Sequence, residues 1–258
     1  MTTIRELKKD AKIRLSGNYF KLLFMYLLYG IIVFAFSYLA KFISNSVLKL
    51  IYAIILLVFS VPFSYGVVAC IMDVIRGKNS SLTEFINIGL KNIGRTWSVY
   101  LRIILKLLLP IILFIASMFF MILTLVSSVL GGALSNYFIL STALFLFTLL
   151  LLLVLNLYYS FAFYLLKDKP EKTSKELINL SHDLMKGNII KYIGLCISFI
   201  GWYLLIFTTS LISAYFIPSE VVSLIVEIGS LLLFPYITTT MIGFYEDVLY
   251  DKTHADES

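Results

Sequence analysis

The stretch "KELINLSHDLMKGNIIKY" (Lys175–Tyr192) stands at the mouth of a long apolar run, and "LSGNYFKL" (Leu15–Leu22) stands before another. Both pass through Gly-Asn and two bulky residues to a lysine. Upstream, apolar residues keep helical spacing: Leu177, Leu180 and Leu184 in one copy, Ile4, Leu7, Ala11 and Leu15 in the other. A helix of this pattern has one oily stripe and one charged face, and is expected to lie flat in the headgroup layer. Gly17 and Gly187 are expected to end these helices in the left-handed conformation before the chain dives inward. A third copy, "TEFINIGLKNIGR" (Thr83–Arg95), puts Gly94 in the same role.

Composition fixes the solvent. Of 258 residues, 60% are hydrophobic and 14% charged, against roughly 25% charged in a soluble domain. Mean hydropathy is +0.95. A spanning helix needs about 20 mostly apolar residues. Charge-free runs of that order cover Leu22–Ala40, Leu50–Met72, Leu107–Leu166, Tyr192–Ser219 and Ile228–Tyr245. The third run is long enough for two spans, and "GGALSN" (Gly131–Asn136) is the cluster of turn formers that would reverse it. The expectation is an all-α polytopic membrane protein with six transmembrane helices. The charged N-terminal stretch reads as a surface helix and not as a cleavable leader. Cys70 and Cys196 fall in apolar runs and read as packing residues.

Lysine and arginine set the expected orientation. Of the 21, only Lys41 and Lys49 fall on the side opposite the rest. The positive-inside rule then places both termini in the cytoplasm of a multi-pass cell-membrane protein. The +6 charge is therefore an orientation signal, and no basic groove with stacking aromatics suggests nucleic acid.

The returning spans echo one another too. "PFSYGVVACIMDVIRGK" (Pro62–Lys78) and "PYITTTMIGFYEDVLYDK" (Pro235–Lys252) place proline, an aromatic and hydroxyl residues mid-span, followed by an acid. "YYSFAFYLLKDKP" (Tyr158–Pro170) keeps the plan without the mid-span proline. The chain 1–258 thus reads as one integral membrane domain of three units, about 3–78, 81–169 and 171–252. Each is an amphipathic interfacial helix followed by two spans. An even number of spans per unit makes the repeats parallel, related by an axis along the membrane normal.

Two stretches, "FAFYLLKDKPEKTSKELINLSHDLMKGNIIKYIGLCISFIGWYLL" (Phe161–Leu205) and "PYITTTMIGFYEDVLYDK", resemble the DUF975 family of bacterial integral membrane proteins. "IRELKKDAKIRLSGNYFK" (Ile4–Lys21) and "GLKNIGRTWSVYL" (Gly89–Leu101) fit it as well. The resemblance implies a polytopic membrane protein of Gram-positive bacteria. It implies no activity and no functional residues.

Charges inside a membrane are the first suspects for function, because they are costly there. Arg102 and Lys106 are four apart and share a helix face. They are interfacial if the third span starts near Leu107. If it starts at Trp97 they point inward and could bind an anion or headgroup. Glu227, inside the last span, either snorkels outward or faces a central cavity. Asn156 reads as a mid-span hydrogen-bonding group or a ligand contact. Lys8, Lys9, Lys21, Lys172, Lys175 and Lys191 are expected to contact lipid headgroups. Asp73, Glu246 and Asp247 are expected at the cytoplasmic boundary, facing the basic surface helices. Thr208–Ser210 and Thr238–Thr240 read as back-bonding hydroxyls or as a polar path.

Neither histidine has a metal-ligand partner at helical spacing, and no nucleophile elbow or phosphate-cradling glycine loop is written. The expectation is no catalytic residue, no metal and no cofactor. Two functions compete. One is a non-catalytic membrane module with a lipid-surface, accessory or protective role, for example against membrane-active peptides. Its expected partners are the bilayer, anionic headgroups and a membrane protein. The other is a small-solute or ion transporter with an axis lined by Glu227 and hydroxyls.

Overall fold

In the computed structural model, which describes residues 2–131, 136–213 and 215–255, the regular elements of the described residues are helical. In chain order the first are α1 (Ile4–Leu15), α2 (Tyr19–Leu39), α3 (Ser46–Ile75), α4 (Glu84–Lys91), α5 (Ile93–Leu130) and α6 (Asn136–Leu157). Then come α7 (Ala162–Asp168), α8 (Ser174–Met185), α9 (Ile189–Ile197), α10 (Ile200–Ser213) and α11 (Ser219–Ala255). Among the described residues, six helical segments are long and apolar enough to cross a membrane, beginning at Tyr19, Ser46, Ile93, Asn136, Ile189 and Val221. Their number is the one the apolar runs predict. Of the predicted reversal at "GGALSN", residues 132–135 lie outside the described residues.

Local chemistry explains where the short helices start and stop. In α1 the Thr3 hydroxyl accepts the Glu6 amide hydrogen, while the Glu6 carboxylate accepts the Thr3 amide at 2.7 Å. Thr173 and Glu176 make the same reciprocal pair at the start of α8, again at 2.7 Å. Each box satisfies two of the amides left without partners at a helix start. Gly17 (φ 82°) and Gly187 (φ 88°) then turn the chain in the left-handed region. The expectation for Gly94 fails. It is the second residue of α5, and the turn falls at Asn92, whose side-chain amide donates to the Ile88 carbonyl at 2.9 Å.

The chain forms two compact units, residues 1–97 with 187–258, and residues 98–186. The first border falls within α5 and the second just before α9. Helices α4 and α8 each pack on the helix that precedes them, α3 and α7, whereas α1 packs on the last helix, α11.

In the first unit, α1 packs on α11, and its stripe of Leu7, Ala11 and Leu15 is buried. The stripe is thus covered by protein, where the sequence suggested lipid. α4 packs on α3 with Phe85 fully buried. Two glycines let these helices touch backbone to backbone. A Cβ on Gly66 would stand 2.0 Å from the Phe85 carbonyl oxygen, and one on Gly89 2.7 Å from that of Pro62. Small residues of this kind allow close helix approach in membranes.

Pro62 has no N–H, so the Val58 carbonyl four residues earlier loses its helical donor. The Trp97 indole N–H supplies the bond at 2.8 Å. Near Pro235 in α11, the Tyr19 hydroxyl donates to the carbonyl of Leu232, three residues before the proline, at 2.7 Å. The break between α9 and α10 is tied from α1: the Lys8 ammonium donates to the Ser198 carbonyl at 2.7 Å and lies over the Phe199 ring. Irregular backbone at membrane depth is tolerated where such donors reach it.

In the second unit, α5 and α6 are joined by two hydroxyl pairs, Ser117 with Thr148 and Thr124 with Ser141, each at 2.6 Å. α8 packs on α7 with Leu177 and Leu184 buried. The Ser181 hydroxyl donates to the Tyr158 carbonyl at 2.9 Å, in the turn that ends α6. The His182 ring stacks on Tyr158.

A candidate anion-binding cleft

Helix α5 runs unbroken for 38 residues, about 57 Å at 1.5 Å per residue. That is far more than the ~30 Å of a hydrocarbon core. Its charge-free part, Leu107–Leu130, is long enough to span alone. The preceding turns carry Arg95, Arg102 and Lys106.

There, within the second unit, Arg102, Leu105 and Lys106 of α5 meet Lys175, Ile178 and Asn179 of α8 around a cleft of about 300 Å³. That volume sits at the lower end of the range for small-ligand sites. Arg102 and Lys106 share one face because they are one helical turn apart. Lys175 lies in the first turn of α8, set there by the Thr173–Glu176 cap. Ile178 is buried and forms an apolar floor, whereas Leu105 is 67% exposed at the lip.

Three cations and one amide line this cleft, and no carboxylate does. Among the described residues none of the three cations is paired with an acid. Around one concavity such charges repel one another unless an anion joins them. Arginine offers a planar fork for phosphate or carboxylate oxygens, and lysine adds a mobile point charge.

Elsewhere several basic residues are held by internal partners. Glu246 of α11 accepts from both Arg14 of α1 and Arg76, the latter at 2.9 Å. Asp247 pairs with Lys191 at 3.2 Å and accepts the Thr2 amide. Lys78 pairs with Asp73 at 3.0 Å. The acids expected at the boundary do meet basic residues, Asp73 among them through its near neighbour Lys78.

The six lysines expected at headgroups divide accordingly. Lys8 and Lys191 are held by Ser198 and Asp247, and Lys21 donates to the Asn79 side chain at 3.2 Å. Burial, with the charge of Lys12 nearby, lowers the Lys8 pKa from its usual value. Lys9 and Lys175 are exposed, and Lys172 is half-buried. Lys175 lines the basic cleft.

Glu227 is exposed on α11. Asn156 is also exposed, at the penultimate position of α6 beside the 158–161 turn and inside a membrane-length segment that runs on to Asp168. Within the second unit the structure brings together Arg102 and Lys106, two of the four expected ligand residues, and Asn156 is not among the residues that line their cleft. The hydroxyls of Thr208, Thr209 and Ser210 donate to carbonyls three or four residues back in α10, and Thr240 donates to Tyr236.

Asn179, Leu105 and Ile178 were not singled out by the sequence. The helical register of α8 held a signal, since Lys175, Ile178 and Asn179 occupy one face at i, i+3 and i+4. The hydroxyls joining α5 to α6 also carried one, recurring at a seven-residue interval in both helices.

Comparison with curated proteins and with solved structures returns no match. The family described as "Protein of unknown function (DUF975)" matches residues 1–252, nearly the whole chain, and the protein belongs to that family.

Proposed function

We propose that this protein is a non-catalytic multi-pass module of the cell membrane, with both termini cytoplasmic, that gathers anionic lipid at the cytoplasmic surface. The observation that carries the reading is the α5–α8 cleft, where three cations face one space without an acid. A lysine or arginine near an anionic leaflet gains about 1 kcal/mol. Three acting together would enrich anionic lipid by roughly two orders of magnitude.

The architecture behind it is three parallel units of surface helix and two spans. This is supported by the matched capping boxes of α1 and α8, the left-handed Gly17 and Gly187, and the pairing of α1, α4 and α8 with α11, α3 and α7. A membrane partner protein could use the same face.

The test is lipid retention. The full chain is extracted from membranes containing equal phosphatidylcholine and phosphatidylglycerol, washed in detergent, and its bound lipid quantified by mass spectrometry. Phosphatidylglycerol should dominate, and the combined variant Arg102→Gln, Lys106→Gln, Lys175→Gln should lose that preference, while Lys9→Gln keeps it. Equal retention of both lipids by the wild type would refute the proposal.

A further inference from the structure

The charge and shape of the cleft narrow its ligand further. Resting on the anionic-lipid reading above, we infer that the α5–α8 cleft is a site for a lipid phosphomonoester, a phosphate with one ester bond and two ionisable oxygens.

Charge balance is the first ground. Arg102, Lys106 and Lys175 present three formal positive charges with no carboxylate among the lining residues. An ordinary phosphodiester headgroup brings a single negative charge and would leave most of that field uncompensated. A phosphomonoester carries about −1.5 to −2 near neutral pH and three free acceptor oxygens. Those oxygens match what the walls offer: the two-pronged guanidinium of Arg102, two ammonium groups reaching from different helices, and the Asn179 amide.

The second ground is where the cleft opens. Arg102 and Lys106 are the last charges on α5 before its charge-free run begins at Leu107. Leu105 and Leu109, both 67% exposed, continue up the same helix with Ile112, 53% exposed. They form an apolar strip rising from the lip of the cation cluster. A phosphate seated among the cations would have its acyl chains led along that strip into the hydrocarbon. A soluble phosphate ester has no use for the strip, and this favours a lipid source.

The experiment uses the full chain in nanodiscs of phosphatidylcholine doped with phosphatidic acid, or with twice as much phosphatidylglycerol to match charge. Thermal unfolding is followed with increasing dopant. Phosphatidic acid should raise the midpoint at dopant levels about tenfold lower than charge-matched phosphatidylglycerol. Neutralising Arg102 or Lys175 singly to Gln should weaken that response about tenfold, the effect of losing one charge-assisted hydrogen bond. Lys9→Gln should leave it unchanged. Both cleft residues are exposed, so these variants keep the core, and their unfolding in pure phosphatidylcholine checks it.

Equal responses to the two charge-matched lipids would overturn the phosphomonoester assignment while leaving anionic enrichment standing. A midpoint shift of the same size with millimolar glycerol 3-phosphate in undoped discs would overturn the lipid source. No response to either lipid would overturn this inference and the broader reading together.

Discussion

The tightest contact in the first unit offers the sharpest test of the packing argument. Replacing Gly66 by alanine adds one methyl whose nearest neighbour would be the Phe85 carbonyl oxygen at 2.0 Å, with the Phe85 carbonyl carbon at 2.9 Å. These are backbone atoms and cannot swing aside, so α4 must retreat from α3 by about 1 Å or more to reach ordinary contact. Phe85 is fully buried and travels with α4, so the retreat also opens space around an aromatic ring. Overpacking costs about 1–3 kcal/mol, and a rigid backbone neighbour puts Gly66→Ala at the top of that range. For a chain of this size 1 kcal/mol moves the unfolding midpoint by roughly 2–4 °C. A drop of at least ~6 °C is therefore expected for the purified full chain, followed by tryptophan fluorescence. Gly89→Ala should behave alike, and the double variant should fall short of the sum because both methyls push on one interface. Gly30 and Gly201 are the controls, since an added Cβ there meets nothing within 4 Å. Alanine at either should be neutral or mildly stabilising, because glycine inside a helix costs roughly 0.5–1 kcal/mol. A Gly66→Ala midpoint within 1 °C of wild type would refute the close approach of α4 to α3.

Two further outcomes follow from the helix breaks and caps. Trp97→Phe removes the donor to the Val58 carbonyl and should cost about 1–3 kcal/mol in thermal or denaturant unfolding. In a Pro62→Ala background the restored N–H serves that carbonyl, so the same substitution should cost measurably less; equal costs would disconnect the indole from the proline. Glu6 and Glu176 have pKa values lowered by the backbone and then the side-chain hydrogen bonds from Thr3 and Thr173. A lowered carboxylate pKa stabilises the fold above the unfolded value of about 4.3 and loses that effect as pH falls through the folded value. Hydrogen exchange corrected for intrinsic rates should accelerate at the starts of α1 and α8 below about pH 4, and not between pH 5 and 8.

Hydrophobicity made the number of spans legible, because about 20 apolar residues in a row have few other uses. The caps are legible too: Gly17 and Gly187 stand where a helix stop is needed, and the Thr-x-x-Glu spacing at Thr3 and Thr173 is that of a capping box. What the sequence could not reveal was what each oily stripe faces. Amphipathic spacing in α1 fits a lipid surface and a protein surface equally well, and only the partner, α11, settles that Leu7, Ala11 and Leu15 are covered by protein. Gly94 failed for a related reason. A glycine at the right interval is permission for a left-handed turn and does not require one, and here Asn92 turns the chain two residues earlier.

The same ambiguity governs the lysines, and resolving it is what isolates the cleft. A basic residue near a membrane can be spent on lipid or on the protein, and spacing alone does not tell which. Lys8 closes a broken helix at Ser198, Lys191 neutralises Asp247, and Arg14 and Arg76 share Glu246. Each such group is already stabilised in place, and turning it toward a headgroup would sacrifice an existing bond, leaving little net gain for lipid contact. Arg102, Lys106 and Lys175 face no such competition, because no acid lines their cleft. An anion arriving there relieves repulsion as well as forming new bonds, so the same three charges that read as ordinary interfacial cations in sequence become the place where lipid binding has the most to gain.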